Sequence, residues 1–285
     1  MIEAVQPQPG RLANAARELA KLPAFARRDM LVAWSYRATF ITDVLSLFLQ
    51  ALLFYFVGLL VDEGRLPEFG GSPVTYMEYV TVGIALAAFL QVGLGRVAAA
   101  LRHEQMIGTL ESLLATPTSP ATIQLGSVLY DLIYVPLRTG LFLLLIAVGF
   151  GLDFNLAGVP PAALVILFFV PFVWGLGLVT AAATLTFRGG SAGIGFGLTI
   201  MTLASGAFFP LELLPGWMES LASLNPMAIA IDGMREPLLG VVDWNETLRG
   251  LAVLLPFSAA SLAAGIVGFR AALRRERRRG TIGHY

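Results

Sequence analysis

Six apolar stretches, each about as long as the roughly 20 residues a helix needs to cross a bilayer, occupy most of this chain. They cover residues 38–61, 75–100, 121–151, 160–187, 192–211 and 247–270. In hydrocarbon every backbone N–H and C=O has to be bonded within the protein, so stretches of this kind read as helices and not as open strands. Composition supports lipid as the solvent: 56% of residues are hydrophobic and only 13% charged, against about a quarter charged in soluble domains. The formal net charge is zero, so no overall field argues for nucleic acid as a partner. Cysteine is absent, which removes disulfides, thiolate metal sites and cysteine nucleophiles together. The two histidines, His103 and His284, lie in polar segments, which argues against a metal or proton-relay site built on imidazoles.

Orientation follows from the basic residues of the loops. With a cytoplasmic N-terminus, the inside holds Arg11, Arg17, Lys21, Arg27, Arg28, Arg37, Arg96, Arg102, Arg188 and the arginines from Arg270 to Arg279. The outside then holds only Arg65, Arg235 and Arg249, with Arg138 inside a span. Both termini are therefore expected in the cytoplasm. Residues 1–37 form a cytoplasmic segment and 271–285 a basic tail, on either side of a transmembrane domain over 38–270. The N-terminal segment lacks the apolar core and cleavage site of a signal peptide. Leu12, Ala15, Ala16 and Leu19 recur at helical spacing within it, as in a helix lying in the membrane interface or packed on protein.

The segment EQMIGTLESLLATPTSP, Glu104 to Pro120, interrupts the apolar pattern on the cytoplasmic side. Met106, Leu110, Leu113 and Leu114 make one apolar stripe, while Glu104, Thr109, Glu111 and Ser112 occupy other faces. Thr116-Pro117 stops the helix, because the residue before proline resists the α region. Ser119-Pro120 reads as the N-cap and first residue of the next span. The pattern alone fits either a rigid, deliberately ended helix over 104–116 or a plain interfacial loop helix.

Two blocks resemble the ABC type 2 permeases. Glu104, Gly108, Thr109, Leu110, Glu111, Leu113, Leu114, Thr116 and Pro117 match the pattern E-x-x-x-G-T-L-E-x-L-L-x-T-P of that family's first cytoplasmic loop. Ser205, Gly206, Phe209, Pro210, Leu214, Pro215, Trp217, Asn225, Pro226, Arg235 and 238–240 match its segment around the fifth span. The resemblance implies a bacterial inner or plasma membrane protein, the permease subunit of an ATP-driven exporter. It also implies two ATPase partner subunits that bind ATP and Mg, a second permease copy, and no cofactor bound by the chain itself. Helix 104–116 would be the coupling helix that docks on the ATPase. Consistent with this, the sequence has one lysine, Lys21, and no G-x-x-x-x-G-K-[ST] loop. The cargo class implied is drug-like, lipid-like or glycolipid, with a polysaccharide or lipid-linked glycan as the alternative.

The fold class expected is thus an all-α integral membrane protein with six transmembrane helices, an N-terminal interfacial helix, the coupling helix and short re-entrant helices over 212–246. Pro210, Pro215, Pro226 and Pro237 break any continuous helix there, and Trp217 and Trp244 suit a membrane boundary. Such backbone is tolerated at membrane depth only against protein or a cavity; a plain extracellular loop is the other reading. Glu212, Glu219, Asp232, Glu236, Asp243 and Glu246 would make this side acidic. Within the spans, Phe48, Gln50 and Tyr55 of the first and Phe208 and Phe209 of the fifth are candidates for the translocation path. So are Asp131 and Arg138, which share a face of the third span, although a structural ion pair is the preferred reading of those two. Gly189, Gly193 and Gly197 at four-residue spacing would permit close helix approach. The letters G-x-S-x-G around Ser191 lack the strand and histidine partner of a nucleophile elbow. A secondary transporter would need an internal repeat and midplane ion-coupling groups, which the sequence does not offer.

Overall fold

The computed structural model describes residues 20–35, 37–71, 73–106, 120–186 and 190–279, and among these it is helical with no β-strand. Among the described residues nine α-helices follow one another: α1 Leu22–Ser35, α2 Arg37–Gly58, α3 Tyr76–Met106, α4 Pro120–Phe150, α5 Val159–Thr186, α6 Gly190–Leu203, α7 Gly216–Ala222, α8 Pro226–Leu239 and α9 Trp244–Arg279. Three described regions are long and apolar enough to cross a membrane, Phe40–Gly58, Leu156–Thr184 and Trp244–Ala272. Shorter apolar helical stretches, Tyr76–Gln91, Pro136–Phe150 and Gly193–Leu203, lie in α3, α4 and α6.

The stretches expected as third and fourth spans coincide, as helices, with α4 and α5 to within a residue. Elsewhere the chain departs from the pattern. Helix α1 packs on α4 within a segment read as cytoplasmic arm, while the expected helix over 11–22 lies almost wholly outside the described residues. Helix α9 continues as one 36-residue element through Arg279, so the basic tail begins as helix. The largest departure is at the fifth span. Expected over 192–211, it stops at Leu203, and a 14-residue helix is only about 21 Å long. The turn after it holds Gly206 at φ +71°, a left-handed conformation that a side chain resists.

Two apolar clusters share α3. In the larger, Leu86, Phe89 and Leu90 of α3 meet Phe169 and Val173 of α5, Ile231 and Met234 of α8, and Leu254 of α9. In the smaller, Val80 and Ile84 of α3 meet Leu47 and Ala51 of α2 and Phe142 and Ile146 of α4. Helices α5 and α9 make the most extensive contact in the protein. It depends on bare backbone: a Cβ on Gly175 would collide with the Ser261 backbone, and one on Gly265 with the Gly175 carbonyl. Ser258 Oγ and Ser261 Oγ donate to the carbonyls of Phe168 and Phe172, both at 2.8 Å, on either side of Pro171. Such interhelical hydroxyl bonds reinforce packing where water is absent.

The glycine repeat of α6 behaves differently. Among the described residues nothing lies within 4 Å of the Cβ positions of Gly193 or Gly197. Gly175→Ala is therefore expected to lower stability by about 1–3 kcal/mol through overpacking, whereas Gly193→Ala leaves it unchanged or slightly higher. Thermal unfolding of the two variants in detergent micelles compares them directly.

Candidate functional site

A helix that ends short of crossing leaves its last carbonyls without intrahelical donors. In α6 and the turn behind it, these carbonyls are collected by side chains from two other elements. Asn225 caps α8: its Oδ1 accepts from Met227 N at 3.0 Å, and its Nδ2 donates to the carbonyls of Met201 at 2.7 Å and Ala204 at 2.9 Å. One amide thus starts one helix and closes another. Pro226 takes the first position of α8, where no N–H is needed.

Arg235, two and a half turns further along α8, is only 1% exposed. Its Nη2 donates to the carbonyls of Gly206 at 2.7 Å, Tyr79 at 3.1 Å and Ala207 at 3.4 Å, and its Nε donates to Tyr79 at 3.3 Å. Its guanidinium carbon lies 3.6 Å from the centre of the Tyr79 ring, a cation–π contact. The exposed Asp232 completes the set with an ion pair to Nη1 at 3.4 Å. Tyr79 Oη donates to the Gly206 carbonyl at 2.9 Å, and Tyr76 Oη to that of Phe208 at 3.0 Å. A Cβ on Gly83 would strike the Ala207 carbonyl, so α3 touches the turn at bare backbone. The result is a clasp in which α3 and α8 hold a strand of irregular backbone by its oxygens.

The clasped turn forms one wall of a cavity of about 520 Å³, within the ~300–1,000 Å³ usual for small-molecule sites. Phe208, Phe209, Pro210 and Leu213 supply that wall, Tyr76 another, and Phe54 with residues 60–62 and Leu66 the rest. Phe54 and Phe208 stack across it, centroids 5.1 Å apart and planes 7° from parallel. A second cavity, of about 340 Å³, lies between Phe40, Val44 and Phe48 of α2 and Leu141 and Leu145 of α4.

The residues singled out in the sequence fall into separate groups. Phe208, Phe209 and Pro210 line the larger cavity, while Asn225, Pro226 and Arg235 belong to the clasp. Arg235, counted as an outer loop cation, is the largest fully buried side chain among the described residues. Its charge is held inside because five donors can serve several carbonyls at once. Pro215 and Trp217 are exposed at the start of α7, and the acidic residues Glu212, Glu219, Asp232, Glu236, Asp243 and Glu246 are all exposed. Phe48 lines the smaller cavity. Gln50 and Tyr55 are exposed on α2, with Tyr55 against Phe150 at 5.1 Å. Arg138 is buried in α4, and the side chain of Asp131 lies outside the described ones, so their expected ion pair does too. Glu104 falls in the last turns of α3; Gly108, Thr109, Leu110, Glu111, Leu114, Thr116 and Pro117 lie outside the described residues. Phe54, one of the first span's aromatic residues, lines the larger cavity, whereas Tyr76 and Tyr79 went unnoticed in the sequence. Their only signal is the three-residue spacing of the tyrosines at the head of an otherwise aliphatic span.

Helices long and apolar enough to cross a bilayer and a broken helix pinned by its neighbours beside an apolar cavity are the features of a helical membrane protein. The chain belongs to the ABC-2 type transporter family, whose profile matches residues 21–239. It is similar to the linearmycin resistance permease protein LnrN of Bacillus subtilis (strain 168), at 29% identity over 166 residues. That match takes in 58% of this chain and 42% of the relative, so the chain spans less than half the relative's length.

Arg235→Leu should leave buried carbonyls without donors, at about 1–3 kcal/mol each. Arg235→Lys should recover little of this, because one ammonium cannot both stack on Tyr79 and reach three carbonyls. The melting temperatures of both variants in detergent, against the unaltered protein, measure the clasp.

Proposed function

We propose that this chain is the permease subunit of an ATP-driven exporter, acting as a pair of permeases with two separate ATPase subunits that carry the ATP and Mg. Family membership carries the reading. The resistance permease among its relatives favours export, since a permease confers resistance most simply by removing a compound. Apolar and aromatic cavity walls favour a drug-like, lipid-like or glycolipid cargo over a highly charged one. In this reading the termini and the segment 104–116 face the cytoplasm, and the clasped turn with its cavity faces the outer leaflet.

The geometry supplies a route for the movement. Helix α3 runs unbroken for 31 residues from Tyr76 to Met106, about 46 Å. Its first turns hold the clasp through Tyr76 and Tyr79, and its last turn leads directly into the coupling segment. A push on Gly108, Thr109, Leu110, Glu111, Leu114, Thr116 or Pro117 by a closing ATPase would enter one end of this rod. It would leave at the other as a displacement of the Phe208–Pro210 wall. Stiffness matters here because a frayed or kinked connector would dissipate the displacement.

Purification of the chain with an ATPase that carries a phosphate-binding loop, followed by cargo-stimulated ATP hydrolysis in nanodiscs, tests the reading. Glu111→Arg is expected to abolish stimulation while leaving membrane insertion intact. Phe208→Ala should raise the cargo concentration for half-maximal stimulation by about 2- to 10-fold, the worth of one aromatic pair. A chain that moves cargo at full rate with no ATPase present would overturn the proposal.

A further inference from the structure

Two opposite charges lie on contacting helices inside the bundle without pairing. Asp43 is on α2 and Arg138 on α4, and no ion pair joins them among the described residues. Arg138 is 6% exposed, and its buried Nε has no hydrogen-bond partner there. The half-buried Asp43 accepts one long bond, 3.4 Å from Tyr134 Oη. Tyr134 precedes Arg138 by four residues, so the two side chains are neighbours on one face of α4. Phe142 and Ile146 continue that face and pack with Leu47 and Ala51, which follow Asp43 at the same spacing on α2. The seam therefore reads Asp43, Leu47, Ala51 against Tyr134, Arg138, Phe142, Ile146, with Asp43 engaged one step away from the guanidinium.

A buried guanidinium without its full set of partners is held at a cost, and a carboxylate that could relieve it sits about one turn away. The seam also has slack. The smaller cavity lies in it, between Val44 and Phe48 of α2 and Leu141 and Leu145 of α4. Helix α2 also turns most of its surface away from the rest of the protein: 17% of its apolar window is buried, against 56% for α5. We infer that Asp43 and Arg138 pair in a second state, reached when α4 slides along α2 by up to one helical turn, about 5.4 Å. Asp43 then exchanges Tyr134 for Arg138. Packed helices shift in discrete steps of this kind because their interfaces are bistable. Helix α4 begins at Pro120, immediately after the coupling segment, so in the exporter reading an axial displacement enters it at that end, and the exchange requires it to be a pull toward that segment; this link alone rests on that reading.

The absence of native cysteine permits spin labels at Ile41→Cys and Leu137→Cys, exposed positions on α2 and α4. Electron–electron distance measurement on the full chain in lipid nanodiscs is expected to show two populations. Asp43→Asn and Arg138→Gln should each leave only one, and the exchange of Asp43→Arg with Arg138→Asp should restore both. A double-mutant cycle on thermal stability should find no coupling between the two residues in the resting state. A single population in the unaltered background, or two populations that survive the single substitutions, would overturn the switch. So would loss of the second population in Asp131→Asn, which would make Asp131 the partner of Arg138. In transport, each single substitution should lower the rate at least about tenfold, and the exchanged pair should recover most of it. If no cargo is moved by the unaltered protein while both populations persist, the exporter reading fails and the switch stands.

Discussion

Where α6 stops at Leu203, inside an apolar stretch that would otherwise have crossed the bilayer, a run of backbone oxygens has to be satisfied by something other than water. The neighbouring elements are arranged around that need. The carbonyls of Met201, Ala204, Gly206, Ala207 and Phe208 each accept from a side chain, and those side chains are Asn225, Arg235, Tyr76 and Tyr79. An arginine is favoured at the centre for a geometric reason. The carbonyls it serves belong to different segments and point from different directions, and only a planar fork of five donors with an apolar face can meet them while stacking on a ring. The charge is tolerated because it lies among the negative ends of peptide dipoles with Asp232 at its edge.

From that clasp the division of the molecule follows. Helices α3, α5, α8 and α9 share the larger cluster, and glycine contacts and serine bonds lock α5 to α9. Helices α1, α2 and α4 form a second group, joined to the first mainly through α3. The larger cavity sits between Phe54 of the looser group and the clasped turn of the tighter one. Its volume therefore depends on how the two groups are placed relative to each other about the α3 helix that both pack against.

Much of this was legible in the residues. Length and apolarity placed α4 and α5 almost to the residue as helices, and the proline punctuation showed that 212–246 is broken into short helices, without their bounds. What was not legible is where an apolar run is a crossing and where it is a broken helix. The stretch 192–211 is apolar throughout, and its break at Leu203 depends on donors contributed by Tyr79 and Arg235, 124 and 32 positions from that residue in the chain. No local pattern contains them. For the same reason Arg235 read as a surface cation: hydropathy counts a charge without knowing how many carbonyls await it. Gly193 and Gly197 show another limit, because small-residue spacing marks a surface able to pack closely without naming the partner, and none lies against them among the described residues.

The buried cations Arg235 and Arg138 show how partner geometry separates a fixed element from a movable one. Arg235 is bound by several acceptors from two segments, so any displacement breaks several bonds together, and the turn moves with α3 and α8 or not at all. Arg138 has a buried nitrogen without a partner, and the acidic group on the facing helix is engaged at 3.4 Å elsewhere. Displacement there exchanges one weak bond for a stronger one. A membrane protein driven from one end needs both kinds of contact, a clasp that transmits movement and a seam that yields to it. In the proposed exporter, helices α3 and α4 would lead from the two sides of the segment 107–119 toward one of each.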